Sequence, residues 1–200
     1  EADQNVYATT FAFPVANAGS AQSVHSGSVV TLDGSASSDP DLNYPLSYSW
    51  MITSKPAGSA ATLSDPAVVN PSFAADLPGT YVIRLVVADS SGFVSAVSSV
   101  TISTTNTAPV ADAGLDQAII LIGTTVQLDG SNSYDLESDP MTYQWAFIEK
   151  PAGSAAVLSN AASSTPTFAA DNYGTYKLSL VVSDPWAASS PDEALVSFEN

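Results

Sequence analysis

Cysteine is absent from the 200-residue chain, which excludes a disulfide framework, a thiolate zinc site and a cysteine nucleophile. Cationic side chains are almost as scarce: four Lys and Arg stand against 20 Asp and Glu, a formal net charge of −16. A surface this negative repels nucleic acid and anionic membrane alike, and it favours cations as partners. Histidine occurs once, at His25. Zinc therefore lacks the His and Cys it needs, and a Ser-His-Asp arrangement has no second copy. Long apolar runs are missing too. Ala118 to Ile122 is an uninterrupted one, far short of the about 20 residues that span a bilayer. The first ten residues, EADQNVYATT, have neither the basic region nor the apolar run of a signal peptide, so the chain reads as an excised piece of something soluble.

What is present is a folding composition, 45% hydrophobic with only 12% charged. The surface must then be solvated largely by Ser, Thr, Asn and Asp, a composition common in secreted bacterial modules. The strongest signal is internal repetition. KPAGSAATLS from Lys55 returns as KPAGSAAVLS from Lys150 (150 − 55 = 95). PVANAG at Pro14 returns as PVADAG at Pro109, VTLDGSASSDPD at Val30 as VQLDGSNSYDLE at Val126, and PSFAADLPGTY at Pro71 as PTFAADNYGTY at Pro166. The chain divides into a lead-in segment 1–13, a first copy 14–103, a linker 104–108 and a second copy 109–200.

Each copy reads as all-β. Tyr81, Ile83, Leu85 and Val87 alternate with their neighbours, as do Tyr176, Leu178, Leu180 and Val182. Period two with β-branched and aromatic residues predicts a half-buried strand. Tyr48-x-Trp50-x-Ile52 and Tyr143-x-Trp145-x-Phe147 predict a second, and Val30 with Leu32 and Val126 with Leu128 a third. Val100 with Ile102 and Val196 with Phe198 close each unit. About seven short strands around a central Trp predict an immunoglobulin-like β-sandwich. Gly79-Thr80-Tyr81 and Gly174-Thr175-Tyr176 suit a tyrosine corner.

LDGSASSDPD, the YSW strand, KPAGSAATLS, PSFAAD and the GTYVIRLVVAD strand together resemble a PKD domain, the module named after polycystic kidney disease, in the subtype of bacterial secreted and surface proteins. The resemblance covers nearly the whole chain, twice. It implies a non-catalytic, often tandem immunoglobulin-like sandwich used as a spacer or for binding and adhesion.

The duplicated KPAGSAA phrase is read as a structural corner, because Pro presets φ and Gly admits positive φ. Ala-Ala with Leu63 or Leu158 is expected to resume a buried strand, and Lys55 and Lys150 to sit among carboxylates. His25 is expected in a loop or at an edge. No G-x-S-x-G elbow surrounds Ser59, and a small sandwich offers little cleft for a carboxylate pair.

Calcium is the candidate cofactor. Asp39-Pro40-Asp41-Leu42-Asn43 and Asp135-Leu136-Glu137-Ser138-Asp139 set oxygen ligands at alternate positions, as in the first half of an EF-hand loop. Asp89 and Asp184 end the late strand at the same pole. The family resemblance implies a site from the Asp-x-Asp loop, the Asp after the late strand and an Asn near the domain entrance. In the second copy that gives Asn106, Asp135, Glu137 and Asp184. The first offers Asp39, Asp41 and Asp89, with Phe11 near the place of the Asn. The competing reading makes these acids Asx-turn residues, as Asp33 and Asp129 are expected to be. Trp186, with Ser91 as its counterpart, is the candidate for stacking on a sugar ring, against a loop Trp folded onto the sheet.

The functional expectation is a non-catalytic spacer or adhesion module of a larger secreted or surface protein, calcium-rigidified, extracellular and bacterial. The alternative is a carbohydrate- or protein-binding accessory module of a secreted hydrolase. Expected partners are neighbouring domains of the same chain and a polysaccharide or cell-surface protein, with no nucleic acid and no membrane insertion.

Overall fold

The computed structural model describes residues 11–198; residues 1–10 of the expected lead-in segment lie outside the described residues. Among the described residues there are twelve strands and no helix. The chain divides into two compact units between Thr105 and Asn106, inside the expected linker 104–108.

The first unit holds β1 (Gln22–His25), β2 (Val29–Thr31), β3 (Ser47–Ser54), β4 (Ser72–Ala74), β5 (Gly79–Ala88) and β6 (Ser98–Thr105). One sheet runs β1-β6-β5-β3 and the facing pair is β2-β4. β1 joins β6 in parallel, while β5 is antiparallel to both β6 and β3. The second unit repeats the plan with β7 (Gln117–Ile119), β8 (Thr125–Gln127), β9 (Thr142–Glu149), β10 (Thr167–Ala169), β11 (Thr175–Ser183) and β12 (Asp192–Phe198). Its sheets run β7-β12-β11-β9 and β10-β8. Each unit is an immunoglobulin-like sandwich.

The period-two pattern decides which face is buried. Tyr81, Ile83, Leu85 and Val87 on β5 are wholly buried, as are Tyr176, Leu178, Leu180 and Val182 on β11. They meet Val30, Leu32 and Phe73, or Val126, Leu128 and Phe168, across each core. Each such burial contributes about 1.5–3 kcal/mol relative to exposure. Trp50 and Trp145 pack into the same cores.

The duplicated phrase is a corner built from side-chain bonds. Asp76 accepts from Ser59 Oγ at 2.5 Å and from Ala60 N at 2.6 Å. The Tyr81 hydroxyl lies 2.9 Å from Asp76 Oδ1 and 3.0 Å from Leu77 O, and it accepts from Leu77 N. Asp171, Ser154, Ala155, Tyr176 and Asn172 repeat the arrangement. The expected tyrosine corner is present in both units. Gly79 sits at φ 137 with Pro56 so close that a Cβ would come within 2.9 Å of it, and Gly174 faces Pro151 in the same way.

Two expectations about this phrase are corrected. Ala61 is buried and Leu63 half-buried, but residues 60–63 and 155–158 form no strand; Asp76 and Asp171 hold the start of the segment by side-chain bonds, and Ser64 N and Ser159 N donate to Ser72 O and Thr167 O at its end. Lys55 Nζ donates to Ala61 O at 2.9 Å and Lys150 Nζ to Ala156 O at 3.0 Å, so these lysines close the corner on backbone carbonyls. His25 lies exposed on the edge strand β1, in keeping with its expected place.

The corner carries an acid dependence. Burial alone would raise the Asp76 carboxyl, but bonds from Ser59, Ala60 and Tyr81 hold it below its ordinary value of 3.8. Asp171 is likewise lowered, by Ser154 first and by Ala155 and Tyr176, against the opposing effect of burial. A depressed folded-state pKa stabilises the fold above the unfolded pKa of about 3.9, and that stability is lost as pH falls through the depressed value. Asp76→Asn and Asp171→Asn together should therefore flatten the loss of stability below about pH 4. Urea midpoints measured from pH 2 to 5 check this; equal acid slopes in wild type and double variant would contradict it.

Candidate metal centre

The loop between β8 and β9 and the loop after β11 converge at one pole of the second unit. Asp135 Oδ1 accepts from Glu137 N at 3.0 Å and from Asp139 N at 2.9 Å, which forces the loop into a tight turn with Ser138 at φ 64. Asp184 Oδ1 accepts from Trp186 N and Ala187 N, both at 2.6 Å. The Asx-turn reading is thus correct for one oxygen of each acid. The other oxygen faces inward. Asp135 Oδ2 and Asp139 Oδ2 are buried without a hydrogen-bond partner, and so is Asn106 Oδ1.

Asn106 is the first residue of the second unit. Its Nδ2 donates to Asp184 Oδ2 at 2.8 Å, and its neighbour Thr107 donates to Glu137 Oε1 through N and Oγ1 at 3.2 and 2.9 Å. One oxygen each from Asp135, Asp139 and Asp184 lies within 4.8 Å of the others. Calcium binds oxygens at about 2.3–2.6 Å, so a single such ion can bridge separations of this size. Asp139 was not among the residues the family resemblance implied; the alternate-position pattern of the loop contained it.

The electrostatics match this crowding. Burial first, then the charges of Asp135, Asp184 and Glu137, push the Asp139 carboxyl above its ordinary value. Burial also acts to raise Asp184, but hydrogen bonds from Asn106, Trp186 and Ala187 outweigh it and hold that carboxyl low. The unit contains two basic residues, and both are engaged elsewhere: Lys150 with Ala156 O and Lys177 with Glu193 at 2.7 Å.

The first unit builds a reduced version. Asp39 Oδ1 accepts from Asp41 N and Asn43 N, and Asp89 Oδ1 from Ser91 N and Phe93 N. Asp39 Oδ2 and Asp89 Oδ2 are again buried and unpartnered. Asp41 is turned to Ala12, whose N–H it accepts. Asn43 stands where the second unit has Asp139, and Phe11 where it has Asn106; the Phe11 ring stacks on Phe93 at 5.6 Å. Asp39, Asp41 and Asp89 do not form a close three-carboxylate cluster among the described residues.

Asp33 and Asp129 accept from Ser35 N and Ser131 N, as Asx-turn residues do. Trp186 lies exposed in the loop after β11, at 46%. No helix among the described residues is long and apolar enough to cross a membrane.

Comparison with known proteins places the chain in a family. The profile of the K319L-like PKD domain matches residues 18–106 and again 113–197. The mouse dyslexia-associated protein KIAA0319-like protein is 32% identical over 175 residues, 86% of this chain and 16% of the relative. The rat dyslexia-associated protein KIAA0319 homolog is 33% identical over 189 residues, 92% of this chain and 17% of the relative. The chain thus spans about one sixth of the length of these curated relatives. Among solved structures, the titin Z1Z2 domains in complex with telethonin superpose with a TM-score of 0.51 at 16% identity, covering 96% of this chain and 100% of that one, a likeness of fold. With two matched regions that together take in both sandwiches, the chain belongs to the K319L-like PKD domain family.

Proposed function

We propose that the chain is a non-catalytic extracellular or cell-surface module, a spacer or adhesion segment of a longer protein, and that calcium stiffens it where the chain enters the second domain. One observation carries this reading: buried oxygens of Asn106, Asp135 and Asp139 stand without hydrogen-bond partners beside Asp184, and both basic side chains of the unit are engaged elsewhere. Buried carboxylates at such separations are costly unless a cation joins them. An all-oxygen set of carboxylates and an amide suits a hard ion with flexible coordination. Asn106, Asp135, Glu137 and Asp184 are the proposed ligands, with Asp139 added. Asp39, Asp41 and Asp89 form a weaker site, short of one carboxylate and the amide.

Because Asn106 begins the second unit, a cation there would fix the path of the incoming chain. Neighbouring domains of the same chain are the first proposed partners. The two relatives named above are mammalian, so the proposal carries no bacterial assignment. Equilibrium dialysis against calcium should find one strong site per chain, lost in Asp139→Asn. Uptake unchanged by that variant, or no uptake, would defeat the proposal.

The half-exposed Trp186 supports a second reading, an accessory module that binds a polysaccharide or a surface protein. If the indole stacks on sugar rings, fragments of chitin, cellulose or alginate should quench its fluorescence, and Trp186→Ala should abolish the response. No quenching by any of them would leave the spacer reading in front.

A further inference from the structure

We propose that the cation controls the turn that displays Trp186, so that the second domain holds the indole in one fixed pose only while the ion is bound. The inference rests on the calcium reading above and adds what the ion regulates. The turn spans Asp184 to Ala187, between β11 and β12. Asp184 closes it with three hydrogen bonds: its N–H donates to Ala187 O at 3.0 Å, and its Oδ1 accepts from Trp186 N and Ala187 N at 2.6 Å each. Beyond the turn the chain pairs again, through the bridge of Ser183 with Ala188 and the bonds between Val182 and Ser189. Only the turn therefore depends on the carboxylate. The other oxygen of Asp184 receives Asn106 Nδ2 at 2.8 Å, and the carboxylate lies in the cluster with Asp135 and Asp139. One side chain thus serves both the candidate cation site and the turn.

The first domain braces the same turn by other means. Asp89 Oδ1 accepts from Ser91 N and Phe93 N, and the entering chain covers the Phe93 ring with Phe11, stacked at 5.6 Å, and Phe13, edge-on at 5.5 Å. At those two positions the chain entering the second domain has Asn106 and Ala108. Its turn lacks the aromatic brace, and its anchor sits among like charges. With no ion, the carboxylates of Asp135 and Asp139 repel that of Asp184, and a displaced Asp184 releases both amides. An ion joining the three removes this force and pins the anchor. Coupling of this kind is reciprocal, so a ligand that needs the fixed indole is held more tightly with the ion bound.

Amide hydrogen exchange of the whole chain, followed by NMR in calcium chloride and in EGTA, tests this, with calcium uptake measured by equilibrium dialysis on the same samples. Exchange through local opening reports the turn itself, apart from global stability. Calcium should slow exchange at Trp186 and Ala187 roughly 5- to 150-fold, the usual range of coupling between two sites. It should leave the amide of Ser154, which donates to Pro151 O in the corner at the opposite end of β11, unchanged. Asp139→Asn removes one repelling charge and none of the turn's bonds. In EGTA its Trp186 and Ala187 amides should exchange more slowly than those of the wild type, and calcium should add nothing. Trp50 and Trp145 are 3% exposed, so calcium should also lower acrylamide quenching of the wild type but not of Trp186→Phe. Calcium uptake with unchanged exchange at Trp186 and Ala187 would overturn the coupling and leave the calcium site standing, whereas no uptake would overturn both. Equal slowing by calcium in the wild type and in Asp139→Asn would also overturn the coupling.

Discussion

At free calcium a hundredfold above its dissociation constant, the second domain should melt roughly 10–20 °C higher than in chelator, and the first domain should move much less. A ligand that binds only the folded state adds RT ln(1 + [L]/Kd), about 2.7 kcal/mol at that excess. In a domain of this size each kcal/mol moves the midpoint by about 4–8 °C. The asymmetry follows from four positions. The second domain presents Asp139 and Asn106, where the first has Asn43 and Phe11. Asp139→Asn makes the sharper test, because it removes one of several like charges gathered at the pole. Its second domain should be no less stable than wild type in chelator and should gain nothing from calcium. A variant that is destabilised in chelator yet keeps the full calcium response would show that Asp139 is only a turn residue.

Removing either core indole should be the most damaging substitution in the chain. Trp50→Ala and Trp145→Ala are each expected to cost about 3–5 kcal/mol, the range for deleting a buried large aromatic, and each should unfold mainly its own domain. Both rings are 3% exposed. They differ in one respect. Trp50 Nε1 donates to Val68 O at 3.1 Å, whereas Trp145 Nε1 is buried without a partner. Trp50→Phe therefore loses a hydrogen bond, at about 0.5–1.5 kcal/mol, and Trp145→Phe relieves an unpaired donor. Differential scanning calorimetry of the two Phe variants should rank Trp50→Phe as the more harmful. The opposite order would show that packing alone sets the cost.

The sandwich was legible because burial on a pleated strand has period two, and Tyr81 to Val87 and Tyr176 to Val182 display it without interruption. The tyrosine corner was legible as well, since Gly-Thr-Tyr recurs at the head of the same strand in both copies. The role of the lysines was not. A lysine near many acids reads as a neutralising charge, yet in each copy its ammonium group satisfies a carbonyl six residues on, a bond that depends on how the loop folds back. The course of the chain before Leu63 was not legible either: the side chain of Asp76, remote in sequence, fixes it at Ser59 and Ala60. At the acidic pole of the second domain, residue type and spacing pointed to Asp135 and Asp184. They could not show that Asp139 turns inward, because that follows from the left-handed Ser138 and the bonds made by Asp135 Oδ1. Nor could they show that one carboxylate serves an Asx-turn with one oxygen and leaves the other inward-facing, which makes the two readings of these acids compatible.

A crystal structure of the chain grown in millimolar calcium, with anomalous scattering data collected, tests the central claim most directly. The expected result is an anomalous peak in the second domain, coordinated by Asn106 Oδ1 and by carboxylate oxygens of Asp135, Asp139 and Asp184. Ordered water at that position with no anomalous signal, and the same hydrogen bonds from Asn106 to Asp184, would contradict it.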